Sequence, residues 1–305
     1  MLEVFVFIIS GTLAASTPLI YAAMGELVCE KSGMLNLGIE GMMATGAAAG
    51  FVLVATTGSH SVGFFGGMIC AMGLSLIYAI LTVLLNANQV ASGLATGILG
   101  LGVSSAIGKK YEGTTVTPLA DLPLGPLSDI PVLGESIFQL DAMVYLSILL
   151  VVAVWYVINR TKLGLLIRAI GEAPEYAHSQ GLPVRMVRMC CVAFGGAMAG
   201  IGGAYLSTAY TPLWAEGMIA GRGWIVVALT VFGTWVVPRV AFGAYLFGVI
   251  SLLELSIQAV GVNLPSQILS ALPYVITILM LAAISRNVTF IRMNSPASLG
   301  QSFSP

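Results

Sequence analysis

The chain has 305 residues, of which 58% are hydrophobic and only 8% charged, with a formal net charge of −1 and a mean hydropathy of +0.98. A soluble domain is about a quarter charged, so 12 Lys and Arg with 13 Asp and Glu leave too few polar side chains to coat a globule of this size. The apolar surplus must face lipid, and the near-neutral charge offers no basic field for nucleic acid.

The first residues, MLEVFVFIIS, lack a positive n-region and carry Glu3, so they read as a retained membrane helix rather than a cleaved signal. A helix needs roughly 20 mostly apolar residues to cross the hydrocarbon core. Runs of that kind fall at 4–25, 33–57, 63–85, 91–109, 141–158, 188–209, 223–237, 240–260 and 266–285. The expected fold is an all-α integral membrane protein, a polytopic bundle of about 8–10 transmembrane helices forming one transmembrane domain over 1–305. The second run holds Asn36, Glu40 and several glycines near its start and is expected to begin as a broken or re-entrant segment; the seventh is short and extends back into 211–222.

Placing 159–188 in the cytoplasm and alternating the runs puts Lys31, Arg160, Lys162, Arg168, Arg185, Arg188, Arg239, Arg286 and Arg292 on that side. Lys109, Lys110 and Arg222 fall opposite. The bias sets the orientation and predicts a cytoplasmic C-terminus. The long outer stretch, about 110–140, is rich in Pro and acids and suits a water-exposed connector.

Glycines recur four apart at Gly46/Gly50, Gly63/Gly67, Gly93/Gly97 and Gly196/Gly200, a spacing that lets helix backbones approach closely. Little chemistry accompanies them. GVSSAIGKK at 102–110 misses the phosphate-loop pattern at Val103 and Lys110, so no ATPase motif is present. His60 and His178 fall in separate loops, and Cys29, Cys70, Cys190 and Cys191 lack metal or CxxC spacing; no metal, cofactor or catalytic group is expected. Asn36 and Glu40, four apart, share a helix face and serve either as a polar lining for a solute or as a buried pair holding an irregular helix start. Glu254, in SLLELSIQAV, lines a pathway or makes an interhelical hydrogen bond.

The segment 159–188 is sticky in its first half through Leu163, Leu165, Leu166, Ile167 and Ile170. Glu172, Ala173 and Pro174 then start a short helix at about 174–180, which Gly181 stops. Such a helix either docks into a groove on another protein or lies as an amphipathic surface helix.

GLLIRAIGEAPEYAHSQGLPV at 164–184 resembles the coupling-helix motif of ABC importer permeases of the simple-sugar and nucleoside group. Arg168, Ala169, Gly171, Ala177 and Gly181 match; Ala173 and Tyr176 depart from the common Asn and Ala. EKSGMLNLGIEGMM at 30–43, FGGAMAGIGGAY at 194–205 and GRGWIVVALTVFGTWVVP at 221–238 are similar to signatures of the branch paired with basic-membrane-protein-type nucleoside receptors. The resemblance implies a membrane subunit of an ATP-driven importer in a bacterial inner membrane. A cytoplasmic ABC ATPase would grip Arg168, Gly171, Glu172, Pro174, Ala177 and Gly181. A second, related permease subunit would complete a heterodimer, and an extracytoplasmic receptor would dock near 110–140 and 211–222. It implies a nucleoside or purine base as solute, with a simple sugar such as ribose as the alternative; Asn36, Glu40 and Glu254 are the candidate pathway residues. An ion-coupled secondary transporter would need mid-membrane ion sites and paired broken helices, of which only the start at 33–41 is legible. An intramembrane enzyme would need a nucleophile and base that are missing.

Overall fold

The computed structural model describes residues 2–123, 133–259 and 294–304, with scattered positions in the stretches between. Among the described residues, six helices are long and apolar enough to cross a membrane. They lie in α1 (Leu2–Lys31), α2 (Ile39–Thr57), α3 (His60–Ala79), α4 (Gln89–Gly108), α6 (Ala142–Arg160) and α9 (Val184–Tyr205). Both α3 and α9 run on through a π-helical turn, Ile80–Leu84 and Leu206–Tyr210. The short α5 (Leu133–Ile137) belongs to the loop before α6, and α7 (Lys162–Glu172) and α8 (Pro174–Ser179) to the loop after it. Two further apolar helices follow, α10 (Arg222–Phe232) and α11 (Val237–Ala259). The protein is a polytopic helical membrane protein, and eight of the nine expected spans coincide with helices. The ninth, 266–285, falls mostly outside the described residues.

Local chemistry sets the helix ends. Gly58, at φ +71, ends α2 and donates its N–H to the Val54 carbonyl at 2.8 Å, the left-handed stop that glycine adopts without strain. The Asn88 side chain accepts from Ala91 N at 3.0 Å to start α4. Asp141 starts α6 by accepting from Met143 N and Val144 N, while its other oxygen accepts from the Tyr205 hydroxyl at 2.7 Å. Burial raises the Asp141 carboxyl above its ordinary range, against the pull of these donors.

The glycine pairs meet across helices. α2, α3 and α9 close on one seam, where a methyl group on Gly46 would collide with the Gly200 backbone, one on Gly67 with the Gly46 carbonyl, and one on Gly63 with the Gly50 carbonyl. Between α2 and α4 the contact is Gly41 on Gly97. Lipid tails are as apolar as leucine, so this van der Waals fit, rather than hydrophobic burial, drives helix association. Large apolar side chains point outward instead, including Phe65, Ile69, Ile98, Leu149 and Phe242.

Two helix bounds differ from the sequence expectation. Helix α1 continues to Lys31, six residues past the expected end, and carries Glu26 and Glu30 into the interior with no exposed surface. Helix α9 starts at Val184 and buries Arg188. Outside the helical bundle, β1 (Asp121–Pro123) and β2 (Gln139–Asp141) form a short antiparallel pair in the long loop. That loop also pairs with the segment before α10: Thr115 bridges Leu213, and Val116 N donates to the Pro212 carbonyl.

Candidate functional site

Two interrupted helices meet inside the bundle. After α1 the chain makes a buried non-helical turn over 32–38 before α2 begins. Asn36 holds that turn: its Oδ1 accepts from Gly38 N at 3.0 Å and its Nδ2 faces Met42 Sδ at 3.3 Å. Gly41, two residues into α2, packs on Gly97, eight residues into α4. At 1.5 Å per residue that is roughly 12 Å from the start of α4, nearly midway through a core about 30 Å thick.

The second interruption precedes α10. The chain over 211–221 descends in non-helical form, and Ala220 and Gly221 both take left-handed backbone at φ +50 and +83. Helix α10 then starts with its free N–H groups aimed at Glu40. Glu40 Oε1 accepts from Gly221 N at 2.8 Å and Oε2 from Gly223 N at 2.7 Å. A helix start carries partial positive charge and orphan donors, so a buried carboxylate is well matched there. With 11 residues, α10 is about 16 Å long, half a span. Sequence reasoning found one broken start; the described residues hold two, and Glu40 joins them.

The far end of α10 is held in the same way. Glu30 Oε2 accepts from Thr230 Oγ1 at 3.0 Å and from Trp235 Nε1 at 2.5 Å. The stretches 30–43 and 221–238, singled out separately in the sequence, are thus two halves of one unit with a carboxylate clamp at each end.

Beside the Glu40 clamp lies a cavity of about 240 Å³, lined by Glu40, Ala44, Leu101, Ser104, Ser105 and the segment 215–220. Ser105 donates to Glu216 at 2.9 Å. Hydroxyls and one accessible carboxylate suit a neutral solute that offers hydroxyl or amino groups. Asn36 is not among the lining residues. Glu254 lies in α11, and its side chain is outside the described set. A larger crevice of about 450 Å³ between α6, α7 and α9 is walled by hydrocarbon with Cys190 and Cys191, so it offers a polar solute almost nothing to bond.

At the basic end of the bundle, α7 and α8 form the expected helical loop, and Gly181 has φ +79 where the chain must turn after α8. Glu172, Glu175, Tyr176, His178 and Gly181 are exposed. Ala177 instead packs inward on Ile170, Val184 and Phe303. Gly171 is buried against the Lys31 carbonyl, with no room for a Cβ. Arg168 bonds back to Gly164 O at 3.4 Å, and Pro174 starts α8. Of the six residues, Glu172 and Gly181 are exposed, Gly171 and Ala177 are buried, and Arg168 and Pro174 are half-buried.

The C-terminal segment 294–304 belongs to this end as well. Ser298 N and Oγ donate to Gly171 O at 3.0 and 2.7 Å. Arg188 donates to Ser32 O and Ser298 Oγ, and Lys31 Nζ donates to Asn294 O at 2.9 Å. Gln89 accepts from Leu35 N and donates to Gln301 O. Neither Arg188 nor Gln89 was legible as structural, because their partners are far away in sequence.

Residues 8–284 match the family described as branched-chain amino acid transport system / permease component. Over 97% of both chains, the sequence is 39% identical to a putative glucose ABC transporter permease protein of Haloferax volcanii. It is 32% identical to a nucleoside ABC transporter permease protein of Lactococcus lactis, over 90% of this chain and 91% of the relative. Identity to a guanosine ABC transporter permease protein of Bacillus subtilis is 31%, over 92% of both. No solved structure matches.

Proposed function

The chain belongs to this permease family and is an ABC transporter permease, and from that premise we propose that it carries a nucleoside or purine base into the cell. The observation that carries the reading is the polar cavity at the start of a half-helix. It opens from the Glu40 clamp toward the outer half of the membrane, is sized for a small molecule, and carries Ser104, Ser105 and Glu216 as hydrogen-bonding groups. Transporter sites form at such discontinuous helices because the interrupted backbone is satisfied by buried partners or by solute. The nucleoside and guanosine permeases among its relatives support the solute class.

Driving energy comes from a partner ATPase that docks on the exposed side of α8, with Glu172, Pro174 and Gly181 shaping the contact and Arg168, Gly171 and Ala177 seating it. A related second permease subunit completes the pathway, and a receptor docks on the outer face where 115–116 pair with 212–213. The paired broken helices also meet a requirement of ion-coupled carriers, so the energy source is part of the test.

The relative at 39% identity favours a second reading, a simple sugar such as glucose or ribose. Proteoliposomes holding the assembled importer are expected to take up guanosine, adenosine or a purine base on ATP, unaffected by ionophores. Uptake of sugars alone moves the assignment to the second reading. Uptake that survives ATP depletion and stops when ion gradients collapse removes the ABC mechanism.

A further inference from the structure

Half-helix α10 is attached at both ends by carboxylates from elsewhere in the chain, and the Glu30 end is built oddly for a purely structural joint. Just past α10, Thr234 and Trp235 take left-handed backbone at φ +50 and +53, a conformation that non-glycine residues hold only when their surroundings impose it. Glu30 is part of those surroundings, gripping the turn through the Trp235 indole and the Thr230 hydroxyl. The attachment is also one-sided. Among the described residues, Glu30 Oε1 has no hydrogen-bond partner, and Glu26, one turn earlier on α1, is fully buried beside it. Natural interiors rarely leave buried acceptors unpaired, and those that remain ask for an explanation other than stability.

The next residue supplies one. Lys31 ends α1, its carbonyl lies against Gly171 at the end of α7, and Gly171 in turn accepts from Ser298, which Arg188 ties to Ser32. The loop α7–α8, the segment 294–304 and the end of α1 are thus knitted together, and Glu30 is the first residue above them that reaches α10. We propose that Glu30 is a positioning residue, the joint through which displacement of α7–α8 reaches α10 and the cavity at its other end. The inference rests on α8 being the ATPase docking element. A half-helix held by two carboxylates moves as a lever, and the unpaired Oε1 of Glu30 gives that end a second acceptor to which its partners can shift.

The test uses the assembled importer with Ser105→Cys in the cavity, in a background with Cys70 and Cys190 replaced by alanine. A small hydrophilic maleimide is applied with and without ATP and vanadate. In this parent the labelling rate is expected to change with nucleotide by about tenfold, in line with ordinary coupling between sites. Trp235→Phe, which removes one N–H and keeps the ring, and Glu30→Ala are expected to shrink the change to about twofold or less. Glu30→Gln, which retains an acceptor oxygen, restores most of it. Pull-down of the ATPase is expected to be undiminished in all three, which separates lost transmission from lost docking. An unaltered nucleotide response in Trp235→Phe and Glu30→Ala with the ATPase bound overturns the joint. Failure of the ATPase to bind the parent overturns the docking reading beneath it.

Discussion

At the scale of single residues, the site depends on how closely backbones approach. Gly223 sits in the first turn of α10, and a Cβ there would meet the Cα and N of Glu40 at 2.5 and 2.6 Å. Those are main-chain atoms of α2, which cannot swing aside. Gly223→Ala is therefore expected to lower stability by about 1–3 kcal/mol, the usual cost of overpacking. Gly73, in α3, is the internal control, since nothing lies within 4 Å of its missing Cβ. Gly73→Ala should be neutral or gain up to about 1 kcal/mol from helix propensity. Thermal unfolding of the two purified variants in detergent gives the comparison, and equal midpoints would mean that the close approach of α10 to Glu40 does not exist. Local pattern showed that Gly221 and Gly223 lie in an ordered motif. It did not show why, because Glu40, to which both donate and for which Gly223 makes room, is about 180 positions earlier.

Elements were more legible than their assembly. Apolar run length located eight spans, because crossing a membrane is a local requirement that each helix meets alone. The start of α8 at Pro174 and its stop at Gly181 were legible for the same reason. Hidden were the burial of Glu26 and Glu30, whose charges argued for ending α1 early, and the Glu30–Trp235 bond, whose partners stand 205 positions apart. Helix α8 now divides by exposure: Ala177 faces Ile170, Val184 and Phe303, while Tyr176 is 69% exposed. An exposed tyrosine on a docking helix is the kind of side chain that dominates binding, often by 2 kcal/mol or more. Tyr176→Ala is expected to weaken ATPase binding by about 30-fold in a titration against the purified ATPase, corresponding to about 2 kcal/mol. Binding at the parental level would place the contact elsewhere on the loop. Glu172→Ala tests the same surface from its other edge and should act in the same direction with a smaller effect.

For the molecule as a whole, one end of the bundle gathers the end of α1, the starts of α4 and α9, the loop α7–α8 and the C-terminal segment. The other end carries Lys109, Lys110 and the strand pair. Positive charge concentrates where α7 and α8 lie, through Arg160, Lys162, Arg168 and Arg185, and such loops stay in the cytoplasm. The hydrogen bonds from Ser298 to Gly171 and from Gln89 to Gln301 commit 294–304 to the same side. The orientation of the whole importer then reduces to one experiment on single cysteines. Ser302→Cys and Ser179→Cys are both exposed, as is Glu112→Cys at the opposite end. With the native exposed cysteines removed, a membrane-impermeant maleimide should label positions 302 and 179 only in inside-out vesicles, and position 112 only in intact cells. Labelling of 179 from outside would turn the importer over and leave α8 out of reach of any cytoplasmic ATPase. Labelling of 302 and 179 from opposite sides would contradict the fold itself, because no single orientation can separate two segments bonded to the same loop.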